Sequence, residues 1–428
     1  MRVLVTSFAY HTHYYHLVPL AWALRAAGHE VLVASQPRLT DAITASGLPA
    51  APVGDDRSVD EFIAQARAEA DAPAGHQRGI DFTEARPEVL TWDYLLAEQE
   101  VMTSVCFAPL NCAATIAGMV ALARSWEPDL VIWEAYTYAG AIAAHAVGAA
   151  HGRLLWGPDV VGRSRQRFLR RGRELPPAQR KDPMADWLRH SLGLAGVPAA
   201  ESDVEELLHG QWAIDPTPEK TRFALPTPAV PMRFVPYNAG AVVPDWLHEA
   251  PERSRVCLTL GLSGRDTGGQ EIGWVQELLT SLGELDVEVV ATLDQTQQEQ
   301  LTAVPANTRM VDYVPMDALL PTCAAVIHPG GAGTWATAIL HGVPQIVIGD
   351  VWDAPLKGRQ LADLAAGIHL PPAGVNGASL REALRQVLEE PRLRRGAEIL
   401  RTEMAGKPTP AETVATLERL TSVHRKPR

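Results

Sequence analysis

Short apolar runs, separated by stretches with helical spacing, recur along the whole chain. Four runs in the first half have the length and branched composition of buried strands, at residues 3–5, 30–34, 130–133 and 153–156. Residues 17–27 have the spacing of a helix, and Gly28 follows at the usual position of a helix C-terminal cap. This alternation predicts an α/β fold with parallel sheets covered by helices.

A second set of strands is predicted in the other half of the chain, at residues 256–260, 287–291, 310–311, 325–327 and 345–348. Each half therefore carries its own strands, which predicts two doubly wound, Rossmann-like domains. The Pro- and Gly-containing stretch between them is typical of a linker. We predict an N-terminal domain over 1–235, a linker over 236–254 and a C-terminal domain over 255–428.

Two segments interrupt the alternation of strands and helices. Residues 55–125 are mostly helical in pattern, and residues 157–232 are rich in Pro and Arg. Either could be an insertion that shapes a substrate pocket or contacts a partner. We interpret the arginine run at residues 163–167 as the solvated face of a helix.

Composition narrows the class of protein. The 428 residues are 46% hydrophobic and 21% charged, which is typical of a globular protein. A net charge of −12 disfavours nucleic acid as a partner, and no apolar stretch is long enough for a membrane span. The four cysteines lack metal-binding spacing, and the chain opens on a strand pattern without a signal peptide. We expect a soluble, cytoplasmic protein with reduced cysteines.

A glycine-rich turn follows the predicted strand at 325–327. His328 ends the strand, Gly330, Gly331 and Gly333 form the turn, and Thr334 opens a helix. A strand, a glycine turn and a helix N-terminus in that order predict an anion site, because backbone N–H groups and the helix dipole converge there. His328 and Thr334 could each donate a further hydrogen bond to a phosphate.

A nicotinamide or flavin dinucleotide is disfavoured as the ligand of this turn. Such folds place a GxGxxG loop after the first strand of a domain, whereas the first loop here, residues 7–16, contains no glycine. The first loop of the second domain, residues 261–269, instead adds glycine and hydroxyl groups, Ser263 among them. Two such loops in one domain favour a nucleotide diphosphate.

Several longer motifs together resemble one enzyme family. They are RVLVTSFAYHTHYYHLVPLAWALRAAGHEVLVASQP, LTWDYLL, PDLVIWEAYTYAG, RLLWGPDVVGR, MRFVPYNAGAVVPDWL, CLTLGLSGRD and HPGGAGTWATAILHGVPQIVIGDVWDAP. Nearly the whole chain is similar to bacterial glycosyltransferases of the GT-B fold, in the branch that decorates macrolides and aromatic polyketides such as anthracyclines. The resemblance implies two Rossmann-like domains facing a central cleft and an inverting transfer of a deoxysugar from a dTDP-sugar to a polyketide hydroxyl.

The resemblance also implies the roles of individual residues. His13 takes the place of the catalytic base, and Glu134 that of the carboxylate that orients it. On the donor side, Ser263, His328 and the glycine turn would hold the diphosphate, Tyr313 and Val314 would cover the nucleobase, and Asp353 would contact sugar hydroxyls. This chain departs from the family at Ala354, where many relatives have Gln or Asn, and at Pro329, where the residue is often His.

Three readings of the function remain open at this point. Besides the transferase, the same fold serves nucleotide-sugar 2-epimerases, and a non-catalytic binding subunit could retain it. No Asp-x-Asp motif is present, so we expect neither a metal nor another cofactor beyond the dTDP-sugar donor. The resemblance further implies a P450-like auxiliary protein as a possible partner. A homodimer is also possible, and the last helix could pack back on the N-terminal domain.

Overall fold

The computed structural model describes residues 1–57, 61, 64, 81–198, 200, 203–261, 272–350 and 352–427. Two parallel sheets, one from each half of the chain, organise these residues. The predicted α/β class with two Rossmann-like units is confirmed. Ser263 lies outside the described residues.

The first sheet has seven strands in the order β3-β2-β1-β4-β5-β6-β7. They are β1 (Arg2–Thr6), β2 (Glu30–Ser35), β3 (Ala50–Pro52), β4 (Leu130–Glu134), β5 (Ala150–Leu154), β6 (Trp212–Asp215) and β7 (Ala229–Pro231). Helices cover both faces, so the side chains of β4 are buried throughout. The topology reverses between β1 and β4, and ligands of open parallel sheets bind at such a reversal.

The described helices of the first half are α1 (His11–Tyr14), α2 (Val18–Ala26), α3 (Thr40–Ala45), α4 (Trp92–Val101), α5 (Ala108–Leu110), α6 (Ala113–Trp126), α7 (Tyr138–Val147), α8 (Val160–Gly172), α9 (Pro183–Leu194) and α10 (Asp203–His209). A π-helix, Met102–Phe107, joins α4 to α5. Gly28 follows α2 with φ +88°, which a glycine adopts without steric cost, as the sequence predicted.

The second sheet has six strands in the order β10-β9-β8-β11-β12-β13. They are β8 (Ser254–Thr259), β9 (Val287–Thr292), β10 (Thr308–Val311), β11 (Ala325–His328), β12 (Gln345–Val347) and β13 (Gly367–His369). The described helices are α11 (Ile272–Leu282), α12 (Gln295–Glu299), α13 (Met316–Leu319), α14 (Ala332–His341), α15 (Ala354–Asp363), α16 (Gly377–Glu389), α17 (Pro391–Ala405) and α18 (Pro410–His424). The glycine turn follows the fourth strand of this half.

The strand predicted at 153–156 is shifted. It spans Ala150–Leu154, and Trp156 lies beyond its end. Its polar residues concealed it in the sequence, yet they are buried and paired: His151 accepts from Trp133 Nε1 at 3.3 Å, and Arg153 contacts Asp159. The short strands β3, β6, β7 and β13 were not predicted, and β6 and β7 lie within the segment 157–232 that resembled an insertion.

The arginine run is not a solvated helix face. Arg165 on α8 is buried, donates to both carboxylate oxygens of Asp182 at 2.7 Å and contacts Glu205. Arg163 stacks its guanidinium over Phe223, 4.5 Å from the ring centroid, and donates to backbone carbonyls at residues 83 and 84. These arginines hold α8 to the surrounding segments.

The segment between the sheets and the last helix connect the two halves of the chain. Residues 232–253, between the sheets, are irregular except for a 3₁₀ turn, Asp245–His248. The last helix, α18, buries Val414 and Leu417 in the core beneath the first sheet, in contact with α2.

In the described part of the chain, no single helix is long and apolar enough to cross a membrane. One pair of helical segments, 92–110 and 113–126, has the length and apolar composition of a span when the two are taken together, but the pair is bent by 57°.

Candidate active site

His13 and Glu134 meet at the carboxyl edge of the first sheet. Strands β1 and β4 are parallel neighbours in which Thr6 pairs with Trp133, so the segments that follow them are adjacent. His13 lies on the short helix α1, and its Nδ1 is 2.8 Å from Oε1 of Glu134, the last residue of β4. The two sequence-predicted catalytic candidates are therefore in direct contact.

Three further donors hold the buried Glu134 carboxylate. Trp156 Nε1 donates to Oε1 at 2.9 Å, while the Tyr136 backbone N–H and the Thr137 hydroxyl donate to Oε2 at 3.0 Å. Thr137 also accepts from the backbone N–H of Phe8 at 2.9 Å, which ties the loop after β1 to the loop after β4. A carboxylate with this many donors is fixed as an acceptor, so the Nδ1 of His13 carries a proton and donates.

Aromatic rings enclose the imidazole of His13. The rings of Phe8, Trp156 and Tyr136 have centroids 4.6, 5.3 and 5.9 Å from it. Its side chain nevertheless remains 20% exposed. The arrangement leaves a fixed tautomer whose Nε2 lone pair can accept a proton from a hydroxyl in the cleft.

The glycine turn presents an open helix N-terminus. Gly331 is the N-cap of α14, and side chains added at Gly331 or Gly333 would meet no atom within 4 Å. The first N–H groups of a helix have no partner within it, and the helix dipole adds positive potential. The half-buried Thr334 lies in the same first turn. These residues can bind an anion.

Gly330, unlike Gly331 and Gly333, is closely packed. Its φ is +95°, and a Cβ there would lie 2.4 Å from the Cβ of Ala354. Only glycine allows this turn to close against the start of α15. Ala354 is therefore the packing surface beneath the turn.

The prediction that His328 donates to a phosphate is wrong for this structure. Its buried Nδ1 accepts the Gly330 N–H at 3.1 Å, and its Nε2 is 2.8 Å from Oε1 of Gln345 on the neighbouring strand. Burial lowers the pKa of His328 to about 4, so the ring is neutral near pH 7. His328 shapes the turn, and both of its ring nitrogens have hydrogen-bond partners within the protein.

Asp353 is paired with a lysine that the sequence analysis missed. Both of its oxygens lie 2.8–2.9 Å from the buried Nζ of Lys357, which also donates to the Gly330 carbonyl at 3.2 Å. Lys357 stands one helical turn beyond Asp353, a spacing that is visible in the sequence. Its Nζ lies between Trp156 and Trp335, 5.5 Å from each ring centroid.

The predicted nucleobase segment is partly turned away from the surface. Val314 is buried in a core cluster of the second half, so its side chain cannot contact a nucleotide and only its main chain remains available. Tyr313 is exposed, and its hydroxyl donates to the carbonyl of Asn238 between the two sheets at 2.7 Å. Its ring can still stack with a base.

A cavity lined mainly by residues of the first half lies near the His13–Glu134 pair. Its wall includes Phe107 of the π-helix and Trp352 from the second half, and both rings contact Tyr136, which in turn contacts His13.

In the described part of the chain, no group of three or more His, Cys, Asp or Glu side chains is arranged to hold a metal ion.

Comparison with known proteins connects this geometry to a family. The family described as "Erythromycin biosynthesis protein CIII-like" matches with its N-terminal domain over residues 22–261 and with its C-terminal domain over 276–420. The chain is 55% identical to the tylactone mycaminosyltransferase of Streptomyces fradiae, covering all of this chain and 94% of that protein. It is 48% identical to the TDP-daunosamine transferase of Streptomyces peucetius, covering 100% and 98%.

A solved structure agrees with these relatives. The glycosyltransferase VinC, solved in complex with dTDP, superposes with a TM-score of 0.86 at 39% identity, over 99% of this chain and all of that one. The fold of this protein is therefore GT-B. The epimerase alternative receives no support from any of these comparisons.

Proposed function

Because this chain belongs to the erythromycin CIII-like family of glycosyltransferases, we propose that it moves a deoxysugar from a dTDP-sugar to a hydroxyl group of a polyketide aglycone, with inversion at the anomeric carbon. The contact between His13 and Glu134 is the observation that carries the mechanism. Relatives that act on macrolides and anthracyclines support the substrate class, and the dTDP complex of VinC supports the nucleotide.

His13 activates the acceptor hydroxyl. Nε2 takes the hydroxyl proton as the acceptor oxygen attacks the anomeric carbon. Glu134 accepts from Nδ1 throughout and stabilises the imidazolium that forms. A single displacement, in which the new C–O bond forms opposite the departing diphosphate, inverts the anomeric carbon.

The leaving group departs toward the second half of the chain. The bond between the anomeric carbon and the diphosphate oxygen breaks, and its electron pair stays on the dTDP. The N-terminus of α14, at Gly331, Gly333 and Thr334, stabilises that growing negative charge with N–H groups that are already oriented. Asp353 lies at the N-terminus of α15, where Lys357 holds it in place, and it contacts a hydroxyl group of the donor sugar.

A transfer assay with the purified full-length chain tests the proposal. dTDP-linked mycaminose, desosamine and daunosamine are combined with tylactone, 10-deoxymethynolide and aklavinone, and products are followed by mass spectrometry. We expect release of dTDP together with a glycoside, whose anomeric configuration by NMR is opposite to that of the donor. Release of dTDP without a glycoside, or retention of configuration, would contradict the proposal.

A pair of histidine variants tests the base. His13→Ala should lower kcat by about 10²- to 10⁴-fold, the usual contribution of a general base, with donor KM nearly unchanged. His11→Ala is the matched control, because His11 lies on the same short helix but is exposed. Equal losses in both variants would mean that α1 matters only for folding.

We also propose that full activity requires an auxiliary P450-like protein, as in the branch of the family that the sequence resembles. The transfer assay is repeated with and without such a protein co-expressed from the same biosynthetic cluster. A rise in kcat with the auxiliary protein supports the requirement, and full activity of the chain alone contradicts it.

A further inference from the structure

One wall of the cavity beside Tyr136 is polar, although the rest is apolar. Its lining consists of Phe82, Glu98, Gln99, Met102, Phe107, Val160, Val161, Ser164, Met184 and Trp352. Glu98, Gln99 and Ser164 form the polar part, and all three side chains are buried. The cavity has room for about one water-sized group, so it can take a single hydroxyl.

The amide of Gln99 has one polar atom left over. Its Nε2 donates to the Ser164 hydroxyl at 3.0 Å, while its buried Oε1 has no hydrogen-bond partner among the described residues. Leaving such a carbonyl unpaired costs about 1–3 kcal/mol, and native proteins rarely keep one without a reason. An acceptor for a ligand hydroxyl is such a reason.

The backbone beside Gln99 is irregular in the same place. The π-helix Met102–Phe107 begins directly after α4, and two of its residues, Met102 and Phe107, line the cavity. π-Helical turns are rare and are found frequently at functional sites. The irregular turn therefore adds to the indication that this wall faces a ligand.

The cavity is completed only by both halves of the chain. Trp352 stacks on Phe82 of the first half with ring centroids 5.2 Å apart and an interplanar angle of 15°. Its backbone has φ +55°, which is unusual for a bulky residue and which the surrounding contacts must hold. The Trp352 ring therefore covers the cavity when the donor-binding half is in place.

Tyr136 connects the cavity to the base. The Tyr136 ring contacts His13, and it also contacts Phe107 and Trp352, which line the cavity. A ligand that reacts at His13 and also places a hydroxyl in the cavity must extend past the Tyr136 ring. A polyketide aglycone has this size and is mostly apolar with a few hydroxyl groups.

We propose that Gln99 Oε1, with Glu98 and Ser164 beside it, accepts a hydrogen bond from an acceptor hydroxyl remote from the hydroxyl that receives the sugar. The inference rests on the proposed function, since it takes the aglycone to be the ligand of this cavity. A site built around a hydroxyl discriminates against analogues that lack it, because its own buried polar group is then left unpaired. Gln99 is thus a specificity residue for the acceptor.

The test compares two acceptors in wild type and in Gln99→Met, which keeps the side-chain length and removes the amide. One acceptor is the aglycone glycosylated in the transfer assay, and the other is its analogue with a remote hydroxyl replaced by hydrogen. We expect acceptor KM for the hydroxylated compound to rise about five- to tenfold in the variant, as for one lost hydrogen bond, with kcat and donor KM unchanged. KM for the analogue should be the same in both proteins.

Thr103→Val is the matched control. Thr103 lies four residues further along, is buried, and also has an unpartnered oxygen in the described structure, but it does not line the cavity. It should leave acceptor KM unchanged. If Gln99→Met raises KM equally for both acceptors, or for neither, the proposal is overturned.

Binding without transfer separates this inference from the proposed function. Aglycone binding is followed by the fluorescence of Trp352 and its neighbours, without donor, in both proteins. Aglycones that bind wild type and Gln99→Met equally would remove the role of Gln99 and leave the glycosyltransferase assignment standing. If no aglycone binds at all, the acceptor class and the inference both fail.

Discussion

The ammonium group of Lys357 lies over the indole of Trp156, with 5.5 Å between its nitrogen and the ring centroid. The two residues come from opposite halves of the chain. Lys357 holds Asp353 and the carbonyl of Gly330, and Trp156 donates to Glu134. The contact therefore connects the glycine turn to the His13–Glu134 pair through two side chains.

Trp156 should position the base. Trp156→Phe keeps an aromatic ring near Lys357 but removes the indole N–H that shares Oε1 of Glu134 with His13. Hydrogen bonds to charged groups are worth about 1.5–3 kcal/mol, so we expect kcat to fall at least tenfold while acceptor and donor KM change little. Steady-state kinetics with both substrates measures this.

The control for that variant is Trp22→Phe. Trp22 donates its indole N–H to the Ser46 carbonyl at 2.9 Å, away from the site. The Trp22→Phe variant also loses a hydrogen bond from an indole N–H, but Glu134 keeps all of its donors, so the kcat of the variant should match that of wild type. A similar loss of kcat in both variants would argue for general destabilisation.

Lys357 should contribute to stability through its partner. Lys357→Met leaves the Asp353 carboxylate buried without its cation, and breaking a buried pair in this way costs about 3–5 kcal/mol. We expect the free energy of unfolding in urea to drop by that order. The double variant Lys357→Met/Asp353→Asn should recover most of it, since no unpaired charge remains. Additive losses in the double variant would show that the two residues are not coupled.

His328 should affect donor binding without titrating. His328→Leu leaves the Gly330 N–H and the Gln345 side-chain oxygen without their hydrogen-bond partner. We therefore expect the turn to become less rigid, donor KM to rise about tenfold and the melting temperature to fall. Since burial holds the pKa of His328 at about 4, it contributes no pH dependence to donor KM between pH 6 and 9. A step in wild-type donor KM near pH 6.5 that disappears in His328→Leu would refute this account.

Glu98 should make the fold less stable as the pH rises. Burial raises its pKa to about 7 from an ordinary value of 4.5, although its hydrogen bond to Ser164 and the charges of Arg167 and Arg163 oppose the shift. The native state therefore binds the proton more tightly than the unfolded state. Its stabilising effect is present below pH 4.5 and is lost as the pH rises through about 7.

Glu98→Gln removes this titration. Relative to wild type, the variant should gain up to about 3 kcal/mol in unfolding free energy between pH 5 and pH 8, since one pKa unit is worth about 1.4 kcal/mol. Urea unfolding at the two pH values measures the gain. Glu100→Gln, two residues along on the exposed side of α4, should show no such difference. A gain that is the same at both pH values would contradict the shifted pKa.

The sequence by itself determined the α/β class, the two strand sets and the glycine turn. These features are local, because apolar period and glycine content specify strands and turns. Motif resemblance then supplied the family, the choice of His13 and Glu134, and the roles of both residues.

Only the tertiary structure decided which atoms the polar side chains reach. His328 ends a predicted strand in either case, but its orientation toward Gln345 depends on a neighbouring strand seventeen residues away. Arg165 belongs to a run that looks solvated, yet Asp182 and Glu205 surround it after folding. The partners of Trp156 and the free oxygen of Gln99 are set by segments distant in the chain, because long-range packing, not local pattern, satisfies buried polar groups.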